Sequence, residues 1–203
     1  MPLTRLPLTT GVSGTLAAGN GGTGVTSADE IGNLVLLNSA SSTTDVTEID
    51  FSSYVSTTYD EYLLHLSASP ATDDVGLRLQ MRSSGSFITS SEYGNAAQRL
   101  DSTSRQTHTT NGGARFELFS NGTQGNASGE TAEYILQFTN MNSSNFATTC
   151  FWQVSGDGTA GVHVNFIGSG SLNTNTTVCD GFKIFYSSGD ISAYEYRFYG
   201  VKK

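Results

Sequence analysis

The C-terminal stretch constrains the fold of this chain more than any other part. Residues 181–186 alternate apolar and other side chains, and residues 191–201 alternate again after a Ser-Ser-Gly-Asp link. Period-two patterning on both sides of a short turn predicts an antiparallel β-hairpin. The hairpin would carry an aromatic face, and a lone hairpin is marginally stable in water. The rest of the chain is therefore expected to supply a second sheet that covers that face.

Segments earlier in the chain show the alternating pattern of β-strands and could form this second sheet. The predicted strands lie at 34–37, 46–51, 59–66, 75–82, 114–119, 132–138, 150–154 and 162–166. Their links are rich in Gly, Asn and Ser, which are turn residues. Many short strands with polar links predict an all-β fold, an antiparallel β-sandwich that is jelly-roll-like.

The alternation also predicts which side chains face the interior. One face of each strand is apolar while the other is polar, which is typical of half-buried strands. The residues expected to be buried are Tyr62, Leu64, Leu77, Leu79, Tyr134, Leu136, Trp152, Val164, Ile184 and Tyr196.

Residues 83–113 form the least regular segment. A structureless loop of this length is unusual in a compact domain and is often functional, whereas a part of it, residues 95–107, could instead form a polar outer strand. Tyr and Arg recur at recognition surfaces because they combine contact area with directional donors. We therefore take Tyr93, Arg99, Arg105 and His108 as candidate receptor-binding residues, with an ordinary solvated loop as the alternative.

Charge and cysteine content exclude some functions. The formal net charge is -8 and no basic cluster occurs, which opposes binding to nucleic acid. No apolar run approaches the length of a membrane span and the N-terminus has no apolar signal core, so we expect no membrane insertion and synthesis in a cytosol. Cys150 and Cys179 lie in apolar runs, which favours buried free thiols over a disulfide.

Little in the sequence points to catalysis or to a metal. His65, His108 and His163 are isolated from one another, and Asp73-Asp74 and Asp157 suit turns better than calcium loops. The acidic residues are spread over many links, and none stands out as half of a catalytic pair. We expect no metal site, no cofactor and no enzymatic activity.

Residues 1–33 differ from the rest of the chain. They contain no aromatic residue and seven glycines, so they cannot bury enough apolar surface to order themselves. We expect either a flexible linker or an extended N-terminal arm that is ordered by neighbouring chains. The predicted organisation is an arm at 1–33 and a β-sandwich head domain at 34–203.

Two groups of residues carry a resemblance to a known family. Residues 8–16 followed by Gly-Asn-Gly-Gly-Thr-Gly-Val-Thr at 19–26 resemble the N-G-G-T-G segments of bacteriophage tail-fibre proteins, which connect a virion-attachment region to a distal module. The block at 58–62, the Ser-Pro-Ala-Thr-Asp turn at 69–73 and the ending Tyr-Arg-Phe-Tyr-Gly-Val-Lys also resemble a C-terminal β-sandwich module of phage fibre and appendage proteins.

The resemblance implies a bacteriophage virion structural protein, a fibre-like appendage whose head contacts the host surface. It implies a homotrimer that binds other virion proteins through residues 1–33, is assembled in the host cytoplasm and contacts a host surface glycan or protein. Two alternatives remain, a capsid decoration or head-fibre protein and a carbohydrate-active depolymerase module. The expected attachment and oligomerisation residues are Leu3, Leu6, Leu8, Leu16, Asn20, Gly21, Gly22, Thr23 and Gly24.

Overall fold

The structure is a computed structural model that describes residues 33–101, 104–119, 124–173 and 177–202. The predicted arm, with all nine of its expected attachment residues, lies outside the described residues apart from Asn33.

The described chain forms thirteen strands. In chain order they are β1 Leu34–Ser42, β2 Ile49–Asp50, β3 Tyr59–Pro70, β4 Leu77–Ser83, β5 Ser86–Phe87, β6 Tyr93–Asp101, β7 Arg105–Gly113, β8 Phe116–Glu117, β9 Ala132–Thr139, β10 Thr149–Gly158, β11 Val162–Leu172, β12 Gly181–Tyr186 and β13 Ile191–Lys202. A short 3-10 turn, Thr159–Gly161, joins β10 to β11.

Two antiparallel sheets pack face to face. The large sheet has eight strands in the order β1-β13-β3-β9-β10-β11-β6-β7, and the small sheet has β2-β12-β4-β5 with β8 also paired to β4. The chain crosses repeatedly between the sheets, as in the step from β3 to β4 and from β11 to β12. The predicted all-β antiparallel sandwich is confirmed.

The inward faces of both sheets make one hydrophobic core. All ten side chains that the alternation placed inside are buried there, none with more than 6% of its surface exposed. Aromatic rings meet across the interior: the centroids of Phe138 and Phe182 lie 4.4 Å apart, and those of Phe51 and Tyr196 lie 4.9 Å apart. Burial of such large apolar side chains is the main favourable term in the folding of the head.

The predicted C-terminal hairpin is wrong. β12 pairs with β2 and β4 in the small sheet, whereas β13 pairs with β1 and β3 in the large sheet. The link between them therefore arches from one sheet to the other, with Gly189 at a φ of 70°. Phe182 and Phe198 face each other across the core at 5.5 Å instead of standing side by side on one sheet. An arch and a hairpin show the same alternation in sequence, because both turn their apolar faces to one interior.

Residues 83–113 are more regular than a long loop. They contain β5 and the antiparallel pair β6 and β7, which forms one edge of the large sheet. The alternative of a polar outer strand is closer to the structure, although the segment forms two long strands instead of one. Polar side chains on both faces of β7 hide the alternation that would have identified it.

A polar side chain is buried within the core. Gln124 is fully buried; its Nε2 donates to the Ala68 carbonyl at 2.9 Å, and its Oε1 accepts from the hydroxyls of Tyr134 at 2.5 Å and Tyr186 at 3.0 Å. Its backbone also exchanges two hydrogen bonds with Val75. The side chain therefore links β3, β9 and β12 through one satisfied network, and burial raises the pKa of both tyrosines.

Candidate functional site

The four residues predicted to contact a receptor do not form one site. Tyr93 is fully buried; its hydroxyl accepts from the Met81 backbone N–H at 2.9 Å and donates to the Ile88 carbonyl at 3.0 Å. Desolvation by burial raises the pKa of Tyr93, as expected for a core tyrosine. The expectation that Tyr93 is an exposed contact residue is wrong, because its place at the start of β6 turns the ring inward.

Arg99 and His108 lie on the same inward-facing side of the β6–β7 edge. The Arg99 Nη2 is 3.1 Å from the Asp101 carboxylate, and only 13% of the Arg99 side chain is exposed. His108 is half-buried with its ring 6.4 Å from that of Phe166. Burial, together with the nearby Arg99 charge, lowers the pKa of His108. Both side chains are thus largely engaged within the head.

Arg105 points to the opposite side. It is exposed at the start of β7, and its Nη2 donates to the Gln98 Oε1 at 2.9 Å. The structure therefore divides the four candidates between a core position, a half-buried edge and the outer surface. Of the four, Arg105 alone lies on the outer face of the large sheet, and its receptor role stays a prediction.

The outer face of the large sheet is the surface that the small sheet leaves uncovered. The strand register places Phe151, Ser169, Ala96 and Thr109 in one row across this face, on β10, β11, β6 and β7. Exposed apolar side chains stand among polar ones here: 49% of Phe151 is exposed. A patch of exposed apolar side chains on a sheet face is a binding-site candidate, whereas single exposed apolar residues are common.

Apolar exposure continues into the next row of the same face. There Ile135, Gln153, Ile167, Gln98 and Thr107 lie side by side on β9, β10, β11, β6 and β7. Ile135 is 44% exposed and Ile167 is 59% exposed. Ile135 and Ile167 are therefore the diagonal neighbours of Phe151 on the two strands that flank β10. The three side chains form an apolar cluster on a face that is otherwise rich in hydroxyl and amide groups.

A shallow groove lies between this cluster and the β7 edge. Phe151 and Ile167 form one side of it, and Thr107 and Thr109 form the other, around a volume of about 460 Å³. Small side chains from β6 and β11 make the floor, among them Ala96. A second depression continues past Phe151 along the same two strands. The groove thus follows β6 and β11 over the length of several residues.

The sequence alone did not indicate this groove. Phe151 and Ile167 occupy the polar phase of their strands, where isolated apolar residues are common on protein surfaces. Their proximity depends on the pairing of β10 with β11, which brings Phe151 opposite Ser169. An apolar residue in the wrong phase of an amphipathic strand was the available signal.

The structure also assembles a serine, a histidine and an aspartate on the outer face. The Ser155 Oγ lies 3.3 Å from the His163 Nε2, and the His163 Nδ1 lies 2.9 Å from the Asp157 Oδ1. This order of contacts is that of a nucleophile, a base and a group that orients the base. These side chains are accessible to solvent: 59% of the His163 side chain and 39% of the Asp157 side chain are exposed. Solvent weakens the electrostatic help that the aspartate can give to the imidazole.

Among the described residues, no three His, Cys, Asp or Glu side chains are grouped so that they could hold a metal ion. In the same part of the chain, no helix has the length and apolar character needed to cross a membrane.

Fold and surface together define a class, an antiparallel β-sandwich with one broad sheet face open to solvent. No protein-family model matches the chain, and no curated protein matches it. Among solved structures, the chain is similar to galectin LEC-6 of Caenorhabditis elegans, with 15% sequence identity and a TM-score of 0.29. That alignment covers 84% of this chain and 96% of the galectin.

Proposed function

We propose that the protein is an attachment component of a bacteriophage virion, and that it binds the host surface through the outer face of the large sheet. The observation that carries the binding part is the half-exposed cluster of Phe151, Ile135 and Ile167 beside the groove. The virion part is supported by the resemblance of residues 8–26 and of the sandwich segments to phage fibre and appendage proteins. In this proposal the arm binds other virion proteins, the chains form a homotrimer and the head binds without catalysing a reaction.

The positions of the arm and the groove at opposite edges of the large sheet suit a role in attachment. The arm enters the head at Asn33, whose carbonyl accepts from the Lys202 N–H beside the β1 edge. The groove lies near β7, at the opposite edge of the same sheet. A head tethered at one edge can present the other edge to a distant surface.

Multivalency would make weak contacts sufficient. Three linked heads gain affinity through effective concentration, typically by ~10²–10⁴, without any stronger individual contact. A shallow groove, which offers modest contact area to each ligand, fits this mode of binding better than a deep pocket does.

Adsorption of virions tests the proposal. Purified full-length protein should compete with particles for host cells, and antibody labelling should locate the protein on the particle by electron microscopy. Particles that carry Phe151→Ser together with Ile167→Ser should adsorb more slowly than wild type. The control is Leu36→Ser, because Leu36 is 53% exposed on the same sheet at the β1 edge. Unchanged adsorption with lowered particle stability on deletion of the protein would favour the capsid decoration alternative.

A specific observation favours a second candidate function, an esterase activity of a depolymerase type. In that reaction the Ser155 Oγ attacks an ester carbonyl while His163 takes its proton, the proton passes to the leaving alcohol, and water then releases the acyl group. The assay is hydrolysis of p-nitrophenyl acetate with the Ser155→Ala variant as the matched control. Equal rates for wild type and the variant exclude this function and leave the binding proposal standing.

A further inference from the structure

The outer-face groove has a chemical character that narrows its ligand. The side chains that line it between β10 and β7 are all uncharged: Phe151, Ile167, Ser169, Ala96, Gln98 and Thr109. The protein as a whole carries a net charge of -8. Anionic ligands are usually held by Arg or Lys; Arg105, which stands beside the groove, already donates to the Gln98 Oε1 at 2.9 Å, and the negative field of the protein repels anions.

We propose that this groove binds an uncharged glycan, with the Phe151 ring as the stacking platform. The inference rests on the proposed function and names the ligand class of the same surface. The faces of aromatic rings carry negative charge density, whereas the C–H groups on one side of a sugar ring are slightly positive, so the two surfaces attract each other. About half of the Phe151 surface is exposed for such a contact.

The remaining walls suit the hydroxyls of a sugar. Thr107 and Thr109 are exposed on the opposite side of the groove, and each hydroxyl can both donate and accept a hydrogen bond. The Gln98 amide is fixed in orientation by the donation from Arg105 to its Oε1 at 2.9 Å. An ordered amide loses less conformational entropy when a ligand binds to it.

Groove dimensions match a linear chain of linked sugars. The floor runs along β6 from Gln98 to Gly94, and the two depressions share Ala96, Phe151 and Ser169. These five residues are separated by four steps of an antiparallel strand, which span about 14 Å. Small floor residues keep this path low between Phe151 and the two threonines, so an extended saccharide can lie flat on it.

Direct binding measurements test the inference. Full-length protein is applied to immobilised linear oligosaccharides of glucose, galactose, mannose and rhamnose, together with uronic-acid and sialylated chains. We expect binding to at least one uncharged chain, with an affinity about tenfold lower in Phe151→Ala, as is typical when a central aromatic contact is truncated. Leu36→Ala is the matched control, because it removes a similarly exposed apolar group of the same sheet at the β1 edge, away from the groove.

Three results would overturn the inference: binding to the anionic chains alone, equal loss in Leu36→Ala and Phe151→Ala, or no binding to any saccharide. A change of oligomeric state in Phe151→Ala, measured by light scattering, would instead assign the cluster to contacts between copies of the chain. The same experiments distinguish failure of the glycan inference from failure of the proposed attachment function. If the protein competes for adsorption but binds no glycan, and protease treatment of the cells removes the competition, attachment stands and its ligand is a protein.

Discussion

The buried Gln124 network offers a sharp test of what holds the two sheets together. In Gln124→Leu the side chain keeps nearly the same volume, so the change removes hydrogen bonds without opening a large cavity. Three groups lose a partner: the hydroxyls of Tyr134 and Tyr186 and the Ala68 carbonyl. The backbone bonds between Gln124 and Val75 remain possible, because they do not depend on the side chain.

The cost follows from how many groups stay unsatisfied. The two tyrosine hydroxyls are close enough to bond to each other, so one can donate to the other and one proton is left without an acceptor. The Ala68 carbonyl also loses its donor. A buried polar group left without a partner costs about 1–3 kcal/mol, so with two such groups Gln124→Leu should lower the free energy of unfolding by about 2–6 kcal/mol.

Making the same substitution in a variant without the two tyrosine hydroxyls separates the loss of hydrogen bonds from altered packing. In Tyr134→Phe/Tyr186→Phe the two hydroxyls are absent, so Gln124→Leu then removes an Oε1 that already lacks its partners and breaks only the bond from Nε2 to the Ala68 carbonyl. Its cost there should be smaller, at most about 1–3 kcal/mol for the Ala68 carbonyl, since removing both partners of a buried hydrogen bond is nearly neutral.

Urea unfolding measures all four proteins. The chain has one tryptophan, Trp152, which is 2% exposed and should report the transition by fluorescence. An equal cost of Gln124→Leu in both backgrounds would refute the hydrogen-bond explanation. So would a cost below about 1 kcal/mol in the wild-type background.

Three further predictions address the core, the sheet edge and the thiols. Leu79→Ala should cost about 2–5 kcal/mol in urea unfolding because Leu79 is fully buried, whereas the exposed Leu36→Ala should change stability by less than about 0.5 kcal/mol; a small loss at Leu79 would contradict its place in the core. Because the native pKa of His108 lies below the unfolded value of 6.5, the unfolded state takes up its proton first as pH falls. The free energy of unfolding should therefore decline as pH drops through about 6.5, and His108→Gln should flatten that decline; identical pH profiles would exclude this group as the cause. Cys150 and Cys179 are free and buried, and burial raises the pKa of the Cys179 thiol to about 11, so iodoacetamide at about pH 8 should label neither thiol until urea is added, as mass spectrometry would show.

Alternation along single strands was sufficient to predict the fold class and the buried set. The run from Leu77 to Met81 places every second side chain against the core, and Tyr134, Leu136 and Phe138 do the same on β9. This succeeds because a strand exposes alternate residues to opposite faces, so the period of the sequence is the period of burial. The turn residues between the runs marked where the strands end.

The alternation of apolar and polar residues did not predict which strands pair with each other. β12 and β13 have the alternation of a hairpin, yet they belong to different sheets. Nothing local distinguishes the two outcomes, since backbone hydrogen bonds are made between distant segments and the period of each strand is the same in both.

The same limit explains the candidate site. Tyr93 sits in a polar stretch and still points inward, because the ring fills space beneath β4 and its hydroxyl bonds the Met81 backbone. The groove beside Phe151 exists because β10, β11, β6 and β7 are neighbours in one sheet. By itself the sequence determined which faces are apolar, because that depends on the order of residues along one strand. The tertiary structure decided which faces meet, because that depends on contacts between residues far apart in the chain.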